Sequence, residues 1–260
     1  MLSKRHGEIL KLLERQGSSS IAAMAQQLGV STETIRRDIR PLVDSGSVIR
    51  IHGAVGLAGQ IGEAPFQRRM REHAEAKKAI ARHVAAGIAD GDTLMLDTGT
   101  TTSFLARELI GHRRLTVVTN SSDIARTLAT VNGNRVFMAG GELNSDSGAA
   151  FGQSAIDFAS RFSVRHAIIS AGAIDTSGVM DFDLQEAEFA RAVLAAGERR
   201  IVVCDASKFG LRSFVQVCDL AGIDLLVSDR SPDHALATQL KAAGVTLAIA
   251  GAAETRRAAG

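Results

Sequence analysis

The sequence has no tryptophan and no tyrosine, only two cysteines and only three prolines among its 260 residues. Without Trp and Tyr, an RNA-binding surface built on rows of stacking aromatic rings is not expected. Two cysteines cannot form a disulfide scaffold or a four-cysteine zinc site, and Cys204 lies in an apolar run typical of a core strand. The seven histidines are scattered without the spacing of metal ligands, so no metal site is expected. No cofactor is expected either.

Long apolar segments are also absent. The candidate for a membrane helix is the uncharged stretch over residues 242–253. It has only twelve residues, whereas a membrane helix needs about 20 apolar residues. The first residues lack the apolar region of a signal peptide. These two absences favour a cytoplasmic protein with no membrane partner.

Charge is small in total but uneven along the chain. The formal net charge is +2, yet the first 60 residues carry eight Lys and Arg against five Asp and Glu. Residues 61–85 carry six against three, and residues 86–260 carry sixteen against twenty. A basic front on an acidic body indicates a polyanion-binding head joined to a body with a different role.

The first sixty residues predict short helices followed by a β-hairpin. A second helix begins at Ser20 and ends at a turn over Gly29, and a third helix begins at Ser31. Two helices joined by a short turn that contains glycine form a helix-turn-helix. Residues 48–55 predict the hairpin, or wing, that follows it.

The third helix has the composition of a helix that reads DNA. Ile35 and Ile39 are four apart and are expected to face the domain core, which leaves the arginines around the other sides. Hydroxyl residues at the helix start can cap backbone N–H groups or reach phosphates and base edges. The alternative is a solvated helix without a ligand. The expected DNA contacts are Ser31, Thr32, Thr34, Arg36, Arg37 and Arg40 on the helix and Arg50 and His52 on the wing.

From residue 90 onwards, short apolar runs alternate with helical stretches. This alternation predicts a mainly parallel α/β sheet whose strands are buried on both faces. A charged amphipathic helix is expected over residues 66–88. The chain is thus divided into a winged helix-turn-helix domain at 1–57, a linker at 58–73 and an α/β domain at 74–260. The predicted strands are residues 93–96, 115–118, 136–138, 167–170, 201–204, 225–227 and 246–249.

A predicted strand runs into a loop of glycine and threonine at residues 97–102, where a helix begins. Free N–H groups and the positive end of the helix dipole favour an anion there, and the hydroxyls add donors. The loop matches neither a Walker A motif nor a dinucleotide fingerprint, and an ordinary capped loop is the alternative. The candidate ligand residues of this loop are Asp97, Thr98, Gly99, Thr100, Thr101 and Thr102.

Other loops follow strands in the same way and are expected to meet at the carboxyl edge of the sheet, where ligands bind. Lys208 would supply a positive point charge for a phosphate, unless it is simply solvated. Asp181 and Glu186 would bind ligand hydroxyls, unless they only cap a helix. The candidate residues of these loops are Asn120, Gly141, Gly172, Asp181, Glu186 and Lys208.

Residues 30–38, which read VSTETIRRD, resemble the amino-terminal signature of the DeoR family of bacterial transcriptional regulators. Matching segments continue through the body, so the resemblance covers nearly the whole chain. Pro41 departs from the pattern, because the family uses one continuous helix there and an interior proline costs roughly 3 kcal/mol unless the helix ends or kinks. The wing also departs, and Ala173 stands where a glycine is common. The matching body segments are residues 97–102, 118–120, 139–141, 170–175, 186–188 and 207–210.

The resemblance implies a transcriptional repressor that binds operator double-stranded DNA and is not an enzyme. It implies that the α/β domain is similar to sugar-phosphate isomerases and senses a phosphorylated sugar or polyol, and that the protein is a homo-oligomer. Some segments are similar to family members that repress a glycerol-3-phosphate regulon: residues 140–143 with Ser145, then 151–152, 157–158 and 181–183. A repressor of another sugar-phosphate regulon and an isomerase with a DNA-binding appendage remain alternatives, and the sign of the regulation stays open.

Overall fold

The computed structural model of the protein describes residues 4–16, 18–51, 54–57 and 63–251. The chain divides into two compact units, Met1–Pro65 and Phe66–Gly260. Of the linker expected over residues 58–73, residues 58–62 lie outside the described part of the chain. Phe66 is buried in the second unit, and its N–H donates to Oδ2 of Asp146 at 2.9 Å. Residues 66–73 therefore belong to the second unit.

The first unit contains helices and a three-stranded antiparallel sheet. The strands pair in the order β1-β3-β2, and β2 with β3 forms the hairpin predicted over residues 48–55. The sequence does not predict β1, because its three serines show no apolar alternation. The elements are α1 (Lys4–Gln16), β1 (Ser18–Ser20), α2 (Ile21–Leu28), α3 (Thr32–Asp44), β2 (Val48–Ile51) and β3 (Ala54–Leu57).

Capping residues set the helix boundaries of this unit, and apolar residues hold the helices together. The Ser20 side chain accepts the N–H of Ala23 at the start of α2, and Gly29 takes a left-handed backbone, φ 65°, at its end. This turn confirms the predicted helix-turn-helix. The fully buried core side chains come from all three helices: Ile9, Leu13, Met24, Ile35, Ile39 and Leu42.

Helix α3 runs through Pro41 and ends at Asp44. Proline has no N–H, so it cannot donate the backbone hydrogen bond that residue 41 would give to the carbonyl of Arg37. The carbonyl of Pro41 itself accepts the N–H of Ser45 at 2.9 Å, which closes the last turn. The proline thus lies near the carboxyl end of the helix, and the arginines at 36, 37 and 40 precede it on regular helix.

The second unit is built on a parallel sheet of seven strands in the order β13-β12-β10-β7-β4-β5-β6. All seven predicted strands are confirmed: 93–96 and 246–249 have the predicted boundaries, and the boundaries of the other five differ by one to four residues. The centre of the sheet is buried on both faces, as Leu94 to Leu96 and Ala167 to Ile169 show. The strands are β4 (Thr93–Leu96), β5 (Thr116–Thr119), β6 (Arg135–Met138), β7 (Val164–Ser170), β10 (Gly197–Val203), β12 (Leu225–Ser228) and β13 (Thr246–Ile249).

Helices follow most of these strands, as the alternation predicts. The single helix expected over residues 66–88 is wrong, because the chain forms two helices there. His73 interrupts them with a left-handed backbone, φ 52°, which an α-helix cannot contain. The helices are α4 (Phe66–Arg69), α5 (Ala74–Ala85), α6 (Thr100–Glu108), α7 (Ser122–Leu128), α8 (Gln153–Ala159), α9 (Leu184–Ala195) and α10 (His234–Ala242), with 3-10 turns at Leu109–Gly111, Ala206–Lys208 and Leu220–Gly222.

A second, antiparallel sheet of three short strands lies in the second unit and is absent from the sequence-based prediction. Its strands are β8 (Ala173–Asp175), β9 (Gly178–Asp181) and β11 (Val215–Cys218), in the order β11-β9-β8. Their residues, AID, GVMD and VQVC, do not form continuous apolar runs like those that predict the strands of the large sheet. This sheet matters for the candidate site because β9 ends at Asp181.

Across the described residues, no helix is both long enough and apolar enough to cross a membrane. Within the same ranges, no group of three or more His, Cys, Asp and Glu side chains could hold a metal ion. Cys204 and Cys218 are both free, and burial raises the pKa of the Cys218 thiol to about 11. Cys204 is buried in the core, as its apolar neighbours predict.

Candidate functional site

Helix α3 begins where the sequence places it, because Ser31 caps its first turn. The Ser31 hydroxyl oxygen accepts the N–H of Thr34 at 3.1 Å and lies 2.8 Å from the Thr34 hydroxyl. Ser31, Thr32 and Thr34 therefore stand together at the start of the helix. Two of these three candidate DNA contacts, Ser31 and Thr34, therefore also form the amino-terminal cap of α3.

Helix α3 has one buried face and one exposed face, as the spacing of its residues predicts. Ile35 and Ile39 are fully buried, whereas Arg36, Arg37 and Arg40 are exposed. An ion pair of 3.0 Å joins Arg5 of α1 to Asp38 and ties α3 to its neighbour. The exposed side of α3 forms a groove of about 540 Å³ lined by Glu33, Arg36, Arg37, Arg40, Val43 and Asp44. The structure thus presents the three arginines on the solvent-facing side of one helix.

The wing candidates are only partly described. The backbone of Arg50 lies in β2, in register with Val55 of β3. The Arg50 side chain and all of His52 lie outside the described residues. Their expected contacts with the DNA backbone stay a prediction.

In the second unit, β4 leads directly into the glycine and threonine loop and then into α6. A Cβ atom on Gly99 would overlap the side-chain oxygen of Ser170, so this position has room only for glycine. The Thr102 hydroxyl lies 3.1 Å from the carbonyl oxygens of both Asp97 and Gly99. Thr102 therefore stabilises the loop from within, a role that the sequence did not distinguish from ligand binding.

The amino-terminal turn of α6 has no side-chain cap, because its capping residue is Gly99. The first N–H groups of a helix have no partner within the helix. Thr100 and Thr101 lie in this turn and are buried. The turn therefore offers backbone donors and the positive end of a helix dipole in a protected place, which favours an anion.

Asp97 lies just before this turn and is buried. Its Oδ2 accepts the N–H of Ser170 at 2.9 Å, while its Oδ1 has no hydrogen-bond partner among the described residues. Burial raises the pKa of the Asp97 carboxyl well above its ordinary value, and the negative charges of Asp181 and Glu186 raise it further. This carboxyl is therefore held in its protonated form to a higher pH than an exposed aspartate.

Three further buried polar atoms lie on the same loops without a partner in the described structure: the hydroxyls of Thr98 and Ser103 and Oδ1 of Asn120. The Asn120 amide is fixed because its Nδ2 donates to the carbonyl of Ala150 at 2.9 Å. Buried polar groups normally have partners, so a polar ligand would satisfy these atoms. The sequence pointed to Thr98 and Asn120 but missed Ser103, whose only signal is its place in the first turn of α6.

Three acidic residues lie close together in the sequence, Asp181, Asp183 and Glu186. Asp183 is a capping residue, whereas Asp181 and Glu186 act on Asp97 at the candidate site. Asp183 caps α9, where it accepts the N–H groups of Gln185 and Glu186. Asp181 is buried, and its Oδ1 accepts the N–H of Phe182 at 2.6 Å and that of Asp183 at 3.1 Å. Because Asp181 and Glu186 both act on the pKa of Asp97, the structure brings these three carboxyl groups to one region.

The remaining candidates follow strand ends. Gly141 has a φ of 149°, a backbone that favours glycine, and Gly172 lets Phe182 pass close, since a Cβ there would lie 3.1 Å from its ring. Lys208 is half-buried in the 3-10 turn after β10, where Asp205 caps the turn through the N–H of Ser207 at 3.0 Å. Gly172 and Lys208 thus follow β7 and β10, two central strands of the sheet.

The two units define a regulator with an arginine-bearing helix-turn-helix head and a ligand-sensing α/β body. The chain belongs to the DeoR family: the DeoR-like helix-turn-helix domain matches residues 5–60, and the DeoR C-terminal sensor domain matches residues 72–230. The resemblance stated from the sequence is confirmed.

Relatives similar over most of the chain carry repressor names. The glycerol-3-phosphate regulon repressor of Escherichia coli K12 is 34% identical over 88% of this chain and 92% of its own. The repressor CsqR of the same organism is 35% identical over 91% of each chain, and GlcR of Bacillus subtilis is 30% identical over 93% of each. Among solved structures, ribose 5-phosphate isomerase A of Neisseria gonorrhoeae matches 52% of this chain and 53% of its own at 18% identity, with a TM-score of 0.38.

Proposed function

We propose that this protein is a transcriptional repressor whose affinity for operator DNA is lowered by a phosphorylated polyol, glycerol 3-phosphate. The observation that carries the proposal is a set of buried polar atoms that have no hydrogen-bond partner among the described residues and lie around the uncapped first turn of α6. They are Oδ1 of Asp97, the hydroxyls of Thr98 and Ser103, and Oδ1 of Asn120. Two relatives are named glycerol-3-phosphate regulon repressors, and this name supports the choice of glycerol 3-phosphate as the proposed effector.

In the first unit, Arg36, Arg37 and Arg40 contact phosphates and base edges of the operator from the exposed side of α3. The three arginine side chains are exposed, and the isoleucines on the opposite side of α3 are buried, which supports this role. The hydroxyl residues Ser31, Thr32 and Thr34 set the position of the helix start on the duplex, and Arg50 and His52 contact the DNA backbone. Homo-oligomerisation would match repeated operator half-sites.

In the second unit, the backbone N–H groups at Thr100 and Thr101 hold the phosphate, and Lys208 adds a positive charge. Asp181 and Glu186 accept hydrogen bonds from hydroxyl groups on the carbon chain. The raised pKa of the Asp97 carboxyl favours its protonated form, which can donate a hydrogen bond to the phosphate, whereas an ionised carboxylate would repel the phosphate. The backbone at Gly99, Gly141 and Gly172 contacts the ligand, while the missing side chains at Gly99 and Gly172 let Ser170 and Phe182 pack close to these loops.

Effector binding in the second unit and DNA binding in the first are linked by a coupling free energy. A typical value is about 1–3 kcal/mol, which changes operator affinity by roughly 5- to 150-fold. Such a change switches operator occupancy when the repressor works near its dissociation constant.

Replacing Lys208 by Ala tests the phosphate site. We expect Lys208→Ala to weaken glycerol 3-phosphate binding, measured by calorimetry on the full chain, and to leave DNA binding unchanged. The matched control is Lys241→Ala, which removes an exposed lysine from the last turn of α10. Equal ligand affinity in Lys208→Ala and the parent would contradict the role of Lys208. Binding of glycerol as tight as that of its phosphate would contradict the phosphate site itself.

The isomerase alternative is separated by product analysis. A sensor returns its ligand unchanged, whereas an enzyme would convert it at about 1 per second or faster. We expect glycerol 3-phosphate and a panel of sugar phosphates to be recovered unaltered after long incubation with the chain.

A further inference from the structure

The arginine face of α3 also carries an acidic side chain that the proposed function does not use. Glu33 lies in the first turn, and its side chain is 81% exposed. Its Oε2 lies 3.3 Å from Nη1 of Arg36, and both residues line the same groove as Arg37 and Arg40. A carboxylate therefore stands within the surface through which α3 would approach DNA.

Helix stability accounts for an acidic residue in the first turn of α3, but not for its place on the same side as the arginines. An ion pair between two exposed side chains three residues apart contributes little, and the helix dipole favours an acidic residue anywhere in the first turn. Near the phosphates of a duplex, a carboxylate without a hydrogen-bond donor is repelled. Glu33 can favour binding only where it meets a donor on the DNA.

The major groove offers such donors at the amino groups of cytosine and adenine. Adenine also presents the acceptor N7 beside its amino group, which repels a carboxylate, so cytosine is the better partner. The guanine paired with that cytosine presents O6 and N7, which suit an arginine. Residues three apart on a helix are about 5–6 Å apart, and stacked bases are about 3.4 Å apart. Glu33 and Arg36 therefore reach the same or neighbouring base pairs.

We propose that Glu33 is a specificity-determining residue of the DNA interface. Its carboxylate accepts a hydrogen bond from the amino group of an operator cytosine. Its ion pair with Arg36 directs that guanidinium to a guanine of the same or the neighbouring base pair. The inference rests on the proposed role of α3 in DNA binding, and it adds one base preference to that role.

The test uses the full chain and a randomised duplex library at fixed salt. The sequence that the parent selects is then substituted at each position, and affinities are measured for the parent, Glu33→Ala and Glu33→Gln. The matched control is Asp44→Asn, which removes a carboxylate from the other end of the same groove. Melting curves verify that all variants fold, as expected for changes at exposed positions.

We expect the parent to prefer cytosine at one position by about tenfold or more. Glu33→Ala loses this preference, and Glu33→Gln shifts it to adenine, because a glutamine amide pairs with N6 and N7 of adenine. Asp44→Asn changes the affinity for all sequences alike. Unchanged preferences in both Glu33 variants would overturn the inference while the DNA interface stands. A parent that selects no sequence would overturn both.

Discussion

At the scale of single residues, Arg37 tests the DNA interface most simply, because it is exposed on a helix whose opposite face is buried. We expect Arg37→Ala to weaken operator binding by about 1–3 kcal/mol if the side chain reads a base. If the side chain contacts a phosphate, the slope of the logarithm of the binding constant against the logarithm of the salt concentration should become shallower by about one. Fluorescence anisotropy at matched salt measures both effects.

Effector binding provides the control for Arg37→Ala. The candidate ligand residues all belong to the second unit, so calorimetry should give the parent's affinity for glycerol 3-phosphate. Operator affinity and salt dependence equal to those of the parent would refute the role of Arg37.

Asp97 gives a prediction on pH and stability. Burial, with the charges of Asp181 and Glu186, raises the pKa of Asp97 in the folded chain, so the folded state holds this proton more tightly than the unfolded state. Such a group stabilises the fold fully below its unfolded pKa of about 3.9, and its contribution is lost as pH rises through the folded pKa. An asparagine does not ionise, so we expect the Asp97→Asn variant to keep its stability as pH rises. Above the folded pKa of Asp97, the free energy of unfolding of the variant should exceed that of the parent.

The matched control for this measurement is Asp92→Asn. Burial acts to raise the pKa of Asp92, but the N–H of Ala89 and the Arg165 guanidinium outweigh it, and the pKa is lowered. A lowered pKa has the opposite consequence, because its contribution is present at higher pH and is lost as pH falls. Denaturant titrations across the pH range should therefore show Asp92→Asn less stable than the parent near neutrality. Parallel pH curves for the parent and Asp97→Asn would contradict the assignment.

How far the site is predictable from sequence depends on what each side chain contacts. A strand followed by Asp97–Thr102 predicts a loop with exposed donors, and the structure places these residues at one helix start. The sequence cannot separate Thr102, whose hydroxyl is used within the loop, from Ser103, whose buried hydroxyl has no partner in the described structure. That difference depends on how the loop packs beside β7, which is distant along the chain.

At the scale of elements, the contact between the α6 loop and the end of β7 leaves no space for a side chain at residue 99. We expect Gly99→Ala to destabilise the second unit by roughly 1–3 kcal/mol, the usual effect of overpacking, and to weaken effector binding. Gly140→Ala is the matched control, because a Cβ there has no atom within 4 Å and its φ is not positive. Chemical denaturation compares the two, and equal stability would contradict the close packing.

Elements with a strong local pattern were predictable, and elements set by tertiary contacts were not. Runs such as residues 93–96 and 225–227 are apolar enough to identify buried strands, and all seven strands of the large sheet follow from them. The three short strands of the second sheet, β8, β9 and β11, lack such runs. The break at His73 depends on a backbone angle that histidine rarely takes, which composition does not reveal.

At the scale of the whole molecule, the uneven charge already separates two roles. The basic first sixty residues lie in a unit of their own, Met1–Pro65, and the acidic residues 86–260 lie in the α/β unit. Membership of the DeoR family joins these roles in one regulator. The central claim is therefore a linkage: a ligand bound in the second unit changes the affinity of the first unit for DNA.

The measurement that tests this linkage most directly is anisotropy of the full chain on DNA from the region upstream of its own operon, with and without glycerol 3-phosphate. Salt is held fixed, because phosphate contacts make DNA affinity depend on it. We predict that the chain binds this DNA and that the ligand weakens binding by about 5- to 150-fold. DNA affinity that is the same with and without the ligand would contradict the account.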